Sequence, residues 1–564
     1  MNRKFTIFLS CFLLFALSSY AQKVIKGTVT DAGDGSGIPG VSILIKGTTQ
    51  GVSTQPNGSY TITVPSTAQT LEVKYLGYQT QDVLINNRSI INIALVSSSE
   101  NLSEVVVTAL GIKRSEKSIG YATQGVKGAD LTLTKEQNII GSLAGKISGV
   151  QVTGSSGASM GGTQKIKIRS VNSLTGGGSP LMVVDGTPIS QTNFSGDANG
   201  VDYGNISQDI NPDDVEDISV LKGPAASALY GIRGQYGVIL ITTKKGAKGV
   251  KKPVISISSA FSVDKVSNFM PLQNIYGVGN NQTFLTLANG EKYVNGNDES
   301  WGPKMDGTPV RMFYSFYPQD PDFGKMTPFV PQPDNIKDYF ETGQNLNNSI
   351  SVAGGGENSN YRLSYTNAYI NGTMPNTWLK RNNLSLSSSL DLSSKITVGA
   401  NVNYANNAGQ RPTQGYQGSF TGAVQWFQRN IDLDKLRNYR YADGTILNWN
   451  VNPNTTTGVI TTNQPSDWNN PFFDAYEVLN NDNRDRLFGD VNVSYQVLPE
   501  LKLSGFARSD FYAQNITHKE AAGGRLVSSY AIGKYQNTDN NYEFLGQYSK
   551  KWNDFSANVN LGAN

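Results

Sequence analysis

Few residues in this chain are equipped for covalent chemistry, and their placement removes most of it. Among 564 residues there is one cysteine, Cys11, and one histidine, His518. Cys11 sits in residues 1–21, where Arg3 and Lys4 precede an apolar run from Phe5 to Leu17 and Ser19-Tyr20-Ala21 offers small residues to a signal peptidase. That is the pattern of a secretory signal peptide, too short to span a bilayer as a helix. The mature chain, expected from Gln22, then has no thiol for a disulfide, a nucleophile or a zinc site. A lone histidine builds no metal cluster, and His518 reads as an ordinary surface residue. Gly35-Ser36-Gly37-Ile38-Pro39-Gly40 spells G-x-G-x-x-G, but a dinucleotide site needs that turn to open a helix, and Val41 to Lys46 reads as a strand. Basic and acidic residues nearly balance (47 against 44) with no basic tract, so no nucleic-acid partner is expected. No catalytic residue, cofactor or metal ligand is assigned, and the chain is not expected to be an enzyme.

The elements carry more information than the reactive groups. From Ile210 to Gly246 the chain reads INPDDVEDISVLKGPAASALYGIRGQYGVILITTKKG. Asn211 can cap a helix, Pro212 suits its first position, and Asp213 and Asp214 complement its dipole. Ile218 to Leu221 predicts a strand, Ala225 to Tyr230 a short helix stopped by Gly231, and Val238 to Thr243 a β-branched strand. Upstream, Thr134-Lys135-Glu136-Gln137 is a capping box, with Ile139, Ile140, Leu143, Ala144 and Ile147 as one apolar helical face. Pro180 to Ile189 predicts a strand, an Asp185-Gly186 turn and a return strand. From Val24 to about Val96 short β-rich runs, separated by turns such as Asp34-Gly35 and Asn57-Gly58, predict a small β-sandwich.

The Ile210–Gly246 wording resembles the end of the plug domain of TonB-dependent outer-membrane transporters, and more narrowly that of the SusC/RagA family. Ile166 to Leu174 resembles that family's "IRLRGINSL", with Ser170 where glycine is usual, and Pro180 to Ile189 resembles "PLYVIDGVPI". The plug-motif residues this resemblance marks are Arg169, Asp185, Gly186, Pro212, Asp213, Lys222, Gly223, Tyr230, Gly231 and Gly237. The N-terminal sandwich is similar to the carboxypeptidase-regulatory-like domain that often precedes the plug, a domain of immunoglobulin-like or transthyretin-like build. Between the two, Leu102-Ser103-Glu104-Val105-Val106-Val107-Thr108-Ala109-Leu110 resembles the family's TonB box. A β-branched run on a polar tether (Ser97 to Asn101) can add as a strand to a partner's sheet edge.

From Pro253 onward apolar residues alternate in segments of about ten residues, as on barrel strands; Tyr361-Leu363-Tyr365 and Ile396-Val398-Ala400-Val402-Tyr404 are clear examples. Polar stretches at about Asn268–Asn345 and Asn406–Asp482 interrupt them and read as loops. The fold class expected is mainly β: a sandwich, an α/β plug and part of a transmembrane β-barrel of about 22 strands, truncated because only roughly ten strands are countable. The boundaries expected are 1–21 signal peptide, 22–96 sandwich, 97–112 linker with TonB box, 113–248 plug and 249–564 the N-terminal part of the barrel. Most of the six tryptophans (Trp301, Trp378, Trp426, Trp449, Trp468, Trp552) are expected in an interfacial aromatic girdle.

The resemblance implies an importer in the outer membrane of a Gram-negative bacterium. TonB, with ExbB and ExbD in the inner membrane, would energise it by pulling on the plug, and a SusD/RagB-like surface lipoprotein would cover its mouth. An oligosaccharide is the leading cargo and a peptide the alternative, with the barrel held in outer-membrane lipid. Two rivals stay open: a siderophore or cobalamin receptor, and a secreted β-rich adhesin or glycan-binding module with no pore. Substrate-contacting residues are not assigned.

Overall fold

The computed structural model describes residues 22–48, 50–66, 68–75, 77–96, 105–107, 113–115, 123–132, 138–154, 160–168, 178–190, 192–195, 200–250, 252–412, 426–553 and 555–564. The chain divides into two compact units, the sandwich and everything that follows it, with the boundary near residues 105–117.

The sandwich has seven strands: β1 (Gln22–Asp31), β2 (Ser42–Ile45), β3 (Gly51–Ser53), β4 (Ser59–Pro65), β5 (Thr70–Lys74), β6 (Gln81–Leu84) and β7 (Ile93–Leu95). They form sheets of order β4-β1-β7 and β3-β2-β5-β6. The alternating positions Ile43, Ile45, Ile62, Val64, Leu71 and Val73 point inward and are fully buried, as period-two patterning requires. The G-x-G-x-x-G letters fall in the turn between β1 and β2 and open no helix. β8 (Val105–Val107) and β9 (Lys113–Ser115) form a two-stranded ladder outside both sandwich sheets.

Nine plug strands follow: β10 (Thr123–Lys127), β11 (Val150–Gly154), β12 (Gln164–Ile168), β13 (Leu181–Val184), β14 (Thr187–Ile189), β15 (Asn193–Ser195), β16 (Asp202–Asn205), β17 (Val215–Leu221) and β18 (Val238–Thr243). Five make one sheet of order β10-β17-β18-β13-β14. Asp185 (φ 46°) and Gly186 (φ 86°) both take positive φ between β13 and β14, the geometry of a tight type I′ hairpin. The helix Pro224–Tyr230 lies between β17 and β18 as expected, with Gly231 at φ 60° just past its end.

Two expected helices are corrected. Asn211 does cap, its side-chain oxygen accepting from the Asp213 amide at 3.2 Å, but Pro212–Asp214 is a single 3₁₀ turn that runs straight into β17. The capping box Thr134 to Gln137 lies outside the described residues. Beyond it only a 3₁₀ turn, Gly141–Leu143, forms, because Gly145 and Gly149 sit at positive φ (73° and 70°) and break the helical path. Ile139, Ile140, Leu143 and Ile147 are buried nonetheless, while Ala144 is exposed. Apolar spacing marked what is buried here, not the conformation that buries it.

The last region is a wall of nine strands. β19 (Val254–Asp264) is followed by short loop strands β20 (Leu285–Thr286), β21 (Lys292–Tyr293), β22 (Pro309–Arg311) and β23 (Met326–Pro328). Then come β24 (Gly343–Gly354), β25 (Ser359–Asn371), β26 (Trp378–Asp391), β27 (Ile396–Arg411), β28 (Leu479–Leu498), β29 (Leu501–Glu520), β30 (Ser529–Trp552) and β31 (Phe555–Ala563). The wall is an antiparallel meander of order β19-β24-β25-β26-β27-β28-β29-β30-β31. Its outward face carries exposed Leu363, Tyr365, Leu384, Leu386, Val491 and Val493. Its inward face carries buried Arg, Asn, Ser and Asp, the alternation of an outer-membrane barrel. At one end the strands are joined by short turns (355–358, 392–395 and 499–500); at the other the connections include 265–342 and 412–478.

Those two long connections are not simple polar loops. Val278, Phe313, Tyr317, Phe329, Phe427 and Trp449 from both segments share one hydrophobic core. Trp449 is 1 % exposed and meets Phe427 edge-on at 5.2 Å. Trp468 is also buried, its indole N–H donating to Asp298 at 3.0 Å. The expected girdle is corrected accordingly: Trp449, Trp468 and the partly buried Trp426 belong to this insert core. Apolar packing within the insert, and not the lipid interface, is what takes these rings out of water.

Candidate functional site: the interface between plug and wall

The inward face of the wall meets the plug through charges that alternation places there. On β28, Asp482, Arg484, Arg486 and Asp490 occupy every second position or nearly so, and all are buried. Isolated charges in such a place would be prohibitively desolvated, so each needs a partner.

Asp209 of the plug is the hub. Its carboxylate accepts from Arg484 Nη2 at 2.7 Å, from Arg486 Nη1 at 3.3 Å and from the Asn407 side-chain amide. Its backbone carbonyl accepts from Asn383 at 2.8 Å. Arg486 turns its remaining nitrogens to Asp510 of β29 as a two-pronged pair, both at 2.8 Å, and Asp510 also accepts from the plug's Ser190 amide at 2.8 Å. Such forked arginine–carboxylate pairs fix geometry as well as charge. Nearer the long-loop end, Arg411 pairs with Asp482 at 2.8 Å and donates to the plug carbonyl of Met160 at 2.5 Å.

A second contact lies toward the short turns. Asp214 accepts from Arg362 at 2.7 Å and from Ser364 at 2.6 Å, while Asn211 donates to Thr366 at 2.8 Å. The chain leaves the plug beside it, with Lys248 bonded to Asp391 and the Gly249 amide donating to Gly356 at 2.8 Å.

The sequence-marked residues divide into two groups. Gly186 faces the wall: a Cβ there would stand 3.3 Å from Arg508 Nη2. Asp185 accepts from the Thr243 amide and hydroxyl at 3.2 and 2.5 Å, which ties β13 to β18; burial raises its carboxyl, against the pull of Lys245 and Thr243. Pro212 and Asp213 border the Asp214 contact, and the Asp213 carbonyl accepts from Lys244 at 2.8 Å. Lys222, Gly223, Tyr230, Gly231 and Gly237 hold the plug itself together. Lys222 donates to the Ser148 carbonyl at 2.6 Å and to Gln124 at 3.2 Å, and Gly237 (φ 96°) has no room for a side chain beside Ile168. Arg169 and Ser170 lie outside the described residues, as do Leu102, Ser103, Glu104, Thr108, Ala109 and Leu110 of the box. Sequence reasoning missed Asp209 and the wall arginines. The available signal was charge of both signs on the polar side of an alternating strand, most plainly Asp482, Arg484 and Arg486. Among the described residues no group of acidic, histidine or cysteine side chains is arranged to hold a metal.

A folded plug anchored to the polar face of a barrel-type sheet has counterparts among known proteins. Residues 115–238 match the TonB-dependent receptor plug domain, and residues 25–107 match the carboxypeptidase-regulatory-like domain, whose match runs into the box segment. The chain is similar to the TonB-dependent receptor SusC of Bacteroides thetaiotaomicron, 27% identical over 98% of this chain and 50% of that protein. It is similar also to TonB-dependent receptor P3 of Formosa agariphila, 27% identical over 95% of this chain and 47% of that one. The RagAB peptide importer in its open-open state shares the fold at a TM-score of 0.59 and 19% identity, covering 79% of this chain and 47% of that chain. The chain thus carries the plug and carboxypeptidase-regulatory-like domains, is similar to SusC and to other TonB-dependent receptors, and spans about half the length of the curated relatives it matches.

Proposed function

We propose that the protein of which this chain is part imports oligosaccharides across the bacterial outer membrane, with the plug as its gate. The observation that carries the reading is the Asp209 hub: a plug fastened to the wall in good part by ion pairs, contacts that water or new partners can replace on separation. The short-turn end is then periplasmic and the insert extracellular. Leu102 to Leu110 is the TonB box, and TonB pulls from the periplasm. An exposed indole on the insert, Trp301 (63 % exposed, its ring 5.5 Å from that of Tyr276), offers a stacking face of the kind sugar rings use. A SusD-like lipoprotein would close over this end. Removal of Glu104 to Thr108 from the full-length protein should abolish uptake while leaving insertion and ligand binding intact; uptake at the normal rate would refute the box. Co-purification from native membranes in mild detergent tests the lid: the transporter recovered without a stoichiometric lipoprotein counts against it.

A further inference from the structure

The buried charges of the wall are unevenly distributed. On β25 to β28 they comprise five arginines, Arg362, Arg381, Arg411, Arg484 and Arg486, against two acids, Asp482 and Asp490. On β29 and β30 the balance reverses, with Arg508 against Asp510, Glu520 and Glu543. The plug completes the basic side by presenting Asp209 to Arg484 and Arg486 and Asp214 to Arg362. To the acidic side it presents, outside the buried set, the half-exposed Arg233, 3.8 Å from the half-exposed Asp539 of β30.

The arginines also run along the wall from end to end. Arg411 is the last residue of β27 at the long-loop end, and Arg362 lies near the start of β25 at the short-turn end. Between them Arg381 stands opposite Asn407, which stands opposite Arg484, so the two arginines share one row across three strands. Arg381 also borders a polar cavity of about 20 Å³ with Asn345, Asn347, Thr366 and Asn383, room for about one water.

We propose that β25 to β28 form a cationic track that selects acidic oligosaccharides, those bearing carboxylate or sulfate groups, when the plug moves; the proposal rests on the import reading above. Plug movement takes Asp209 and Asp214 away together. Arg484 keeps the amide of Gln514 and Arg362 keeps Ser364, but neither keeps the carboxylate it had from the plug. A passing anion can replace that carboxylate and a neutral sugar cannot. The plug acids are in effect placeholders for the charge of the cargo.

The test uses full-length protein in a planar bilayer, its plug loosened by urea below the range that unfolds the barrel. Current block is titrated with a galacturonate hexamer, with maltohexaose and with hexaglutamate. The galacturonate hexamer is expected to block at about ten-fold lower concentration than maltohexaose, as single-sign clefts concentrate counter-ions. The double variant Arg362→Gln with Arg484→Gln should remove that preference, read as the ratio of the two blocking concentrations, while Arg362→Lys with Arg484→Lys should retain it. Equal block by the two sugars, a preference that survives the glutamine pair, or no block by any probe overturns the track. Block by hexaglutamate alone, lost in the glutamine pair, overturns the saccharide cargo and with it the import reading as stated. Block by maltohexaose alone leaves that reading standing and overturns the track.

Discussion

The plug–wall interface and the insert core both bury large side chains contributed by distant segments, yet they are held in opposite ways. The insert closes on Trp449, Phe427, Phe313 and Phe329, rings whose contacts give no intermediate state between packed and wet. The plug closes on the wall through Asp209 and Asp214, each tied to wall arginines with fixed direction, and through its Ser190 amide on the wall's Asp510. Apolar cores lose contacts in proportion to area and re-form only as a whole. Ion pairs can be exchanged one at a time for water or for another anion, with much of the separation cost recovered by hydration. The insert join is therefore built on an apolar core, while the plug–wall join is mixed, its ion pairs set beside the contacts of Met160 with Ile370 and Leu379 and of Phe488 with the plug core.

Asp209→Ala should break this contrast most severely. It leaves Arg484 and Arg486 short of a partner at once, and breaking a buried pair costs about 3–5 kcal/mol. The full-length variant should insert normally but leak, measured as sensitivity of cells to bulky antibiotics and as protease access to the plug. Trp449→Ala should lose about 3–5 kcal/mol from the insert alone, visible as proteolysis within residues 426–478, with the plug still sealing. A leak in that variant would show that the two regions are not independent. Gly186→Ala is a finer probe: at φ 86°, facing Arg508, it should cost about 1–2 kcal/mol and loosen the plug without releasing it.

The smallest effect is a pH dependence inside the insert. Desolvation pushes the Asp474 carboxyl up from 3.8 to about 7, with Asn469 opposing, Glu520 adding and Arg525 opposing. An acid raised in the folded state favours folding while protonated, so its contribution is present at low pH and is lost as pH rises from about 4 to about 7. Asp474→Asn should flatten the insert's denaturation midpoint across that window. An unchanged slope would remove Asp474 as its source.

Much of the fold was legible because local rules decided it. The Asp185-Gly186 hairpin follows from which residues accept positive φ, and the wall strands follow from alternation enforced by two unlike faces. The helix expected after Thr134 failed where Gly145 and Gly149 intervene, since a period of apolar residues specifies a buried face more firmly than a backbone. The plug–wall contacts were not legible. Asp209 and Arg484 are 275 residues apart, and Ser190 and Asp510 are 320 apart. Their meeting depends on strand register and plug orientation, neither of which has a local signature. The insert tryptophans misled for a related reason: aromatic residues in polar sequence look alike whether they face lipid, a partner or one another.

The insert also bears on how the wall is assembled. The Asn430 side chain accepts from the Val278 amide at 2.7 Å across 152 residues of chain, and between them lie β24, β25, β26 and β27. Closing so long a span in an unpaired chain is entropically slow, so the sheet must zip first and bring the two segments together. A one-residue slip in β25, β26 or β27 would turn Arg362, Arg381 or Arg411 outward and also displace one half of the insert from the other. Closure of the aromatic core is then a checkpoint on register, completed only by chains whose strands have paired correctly.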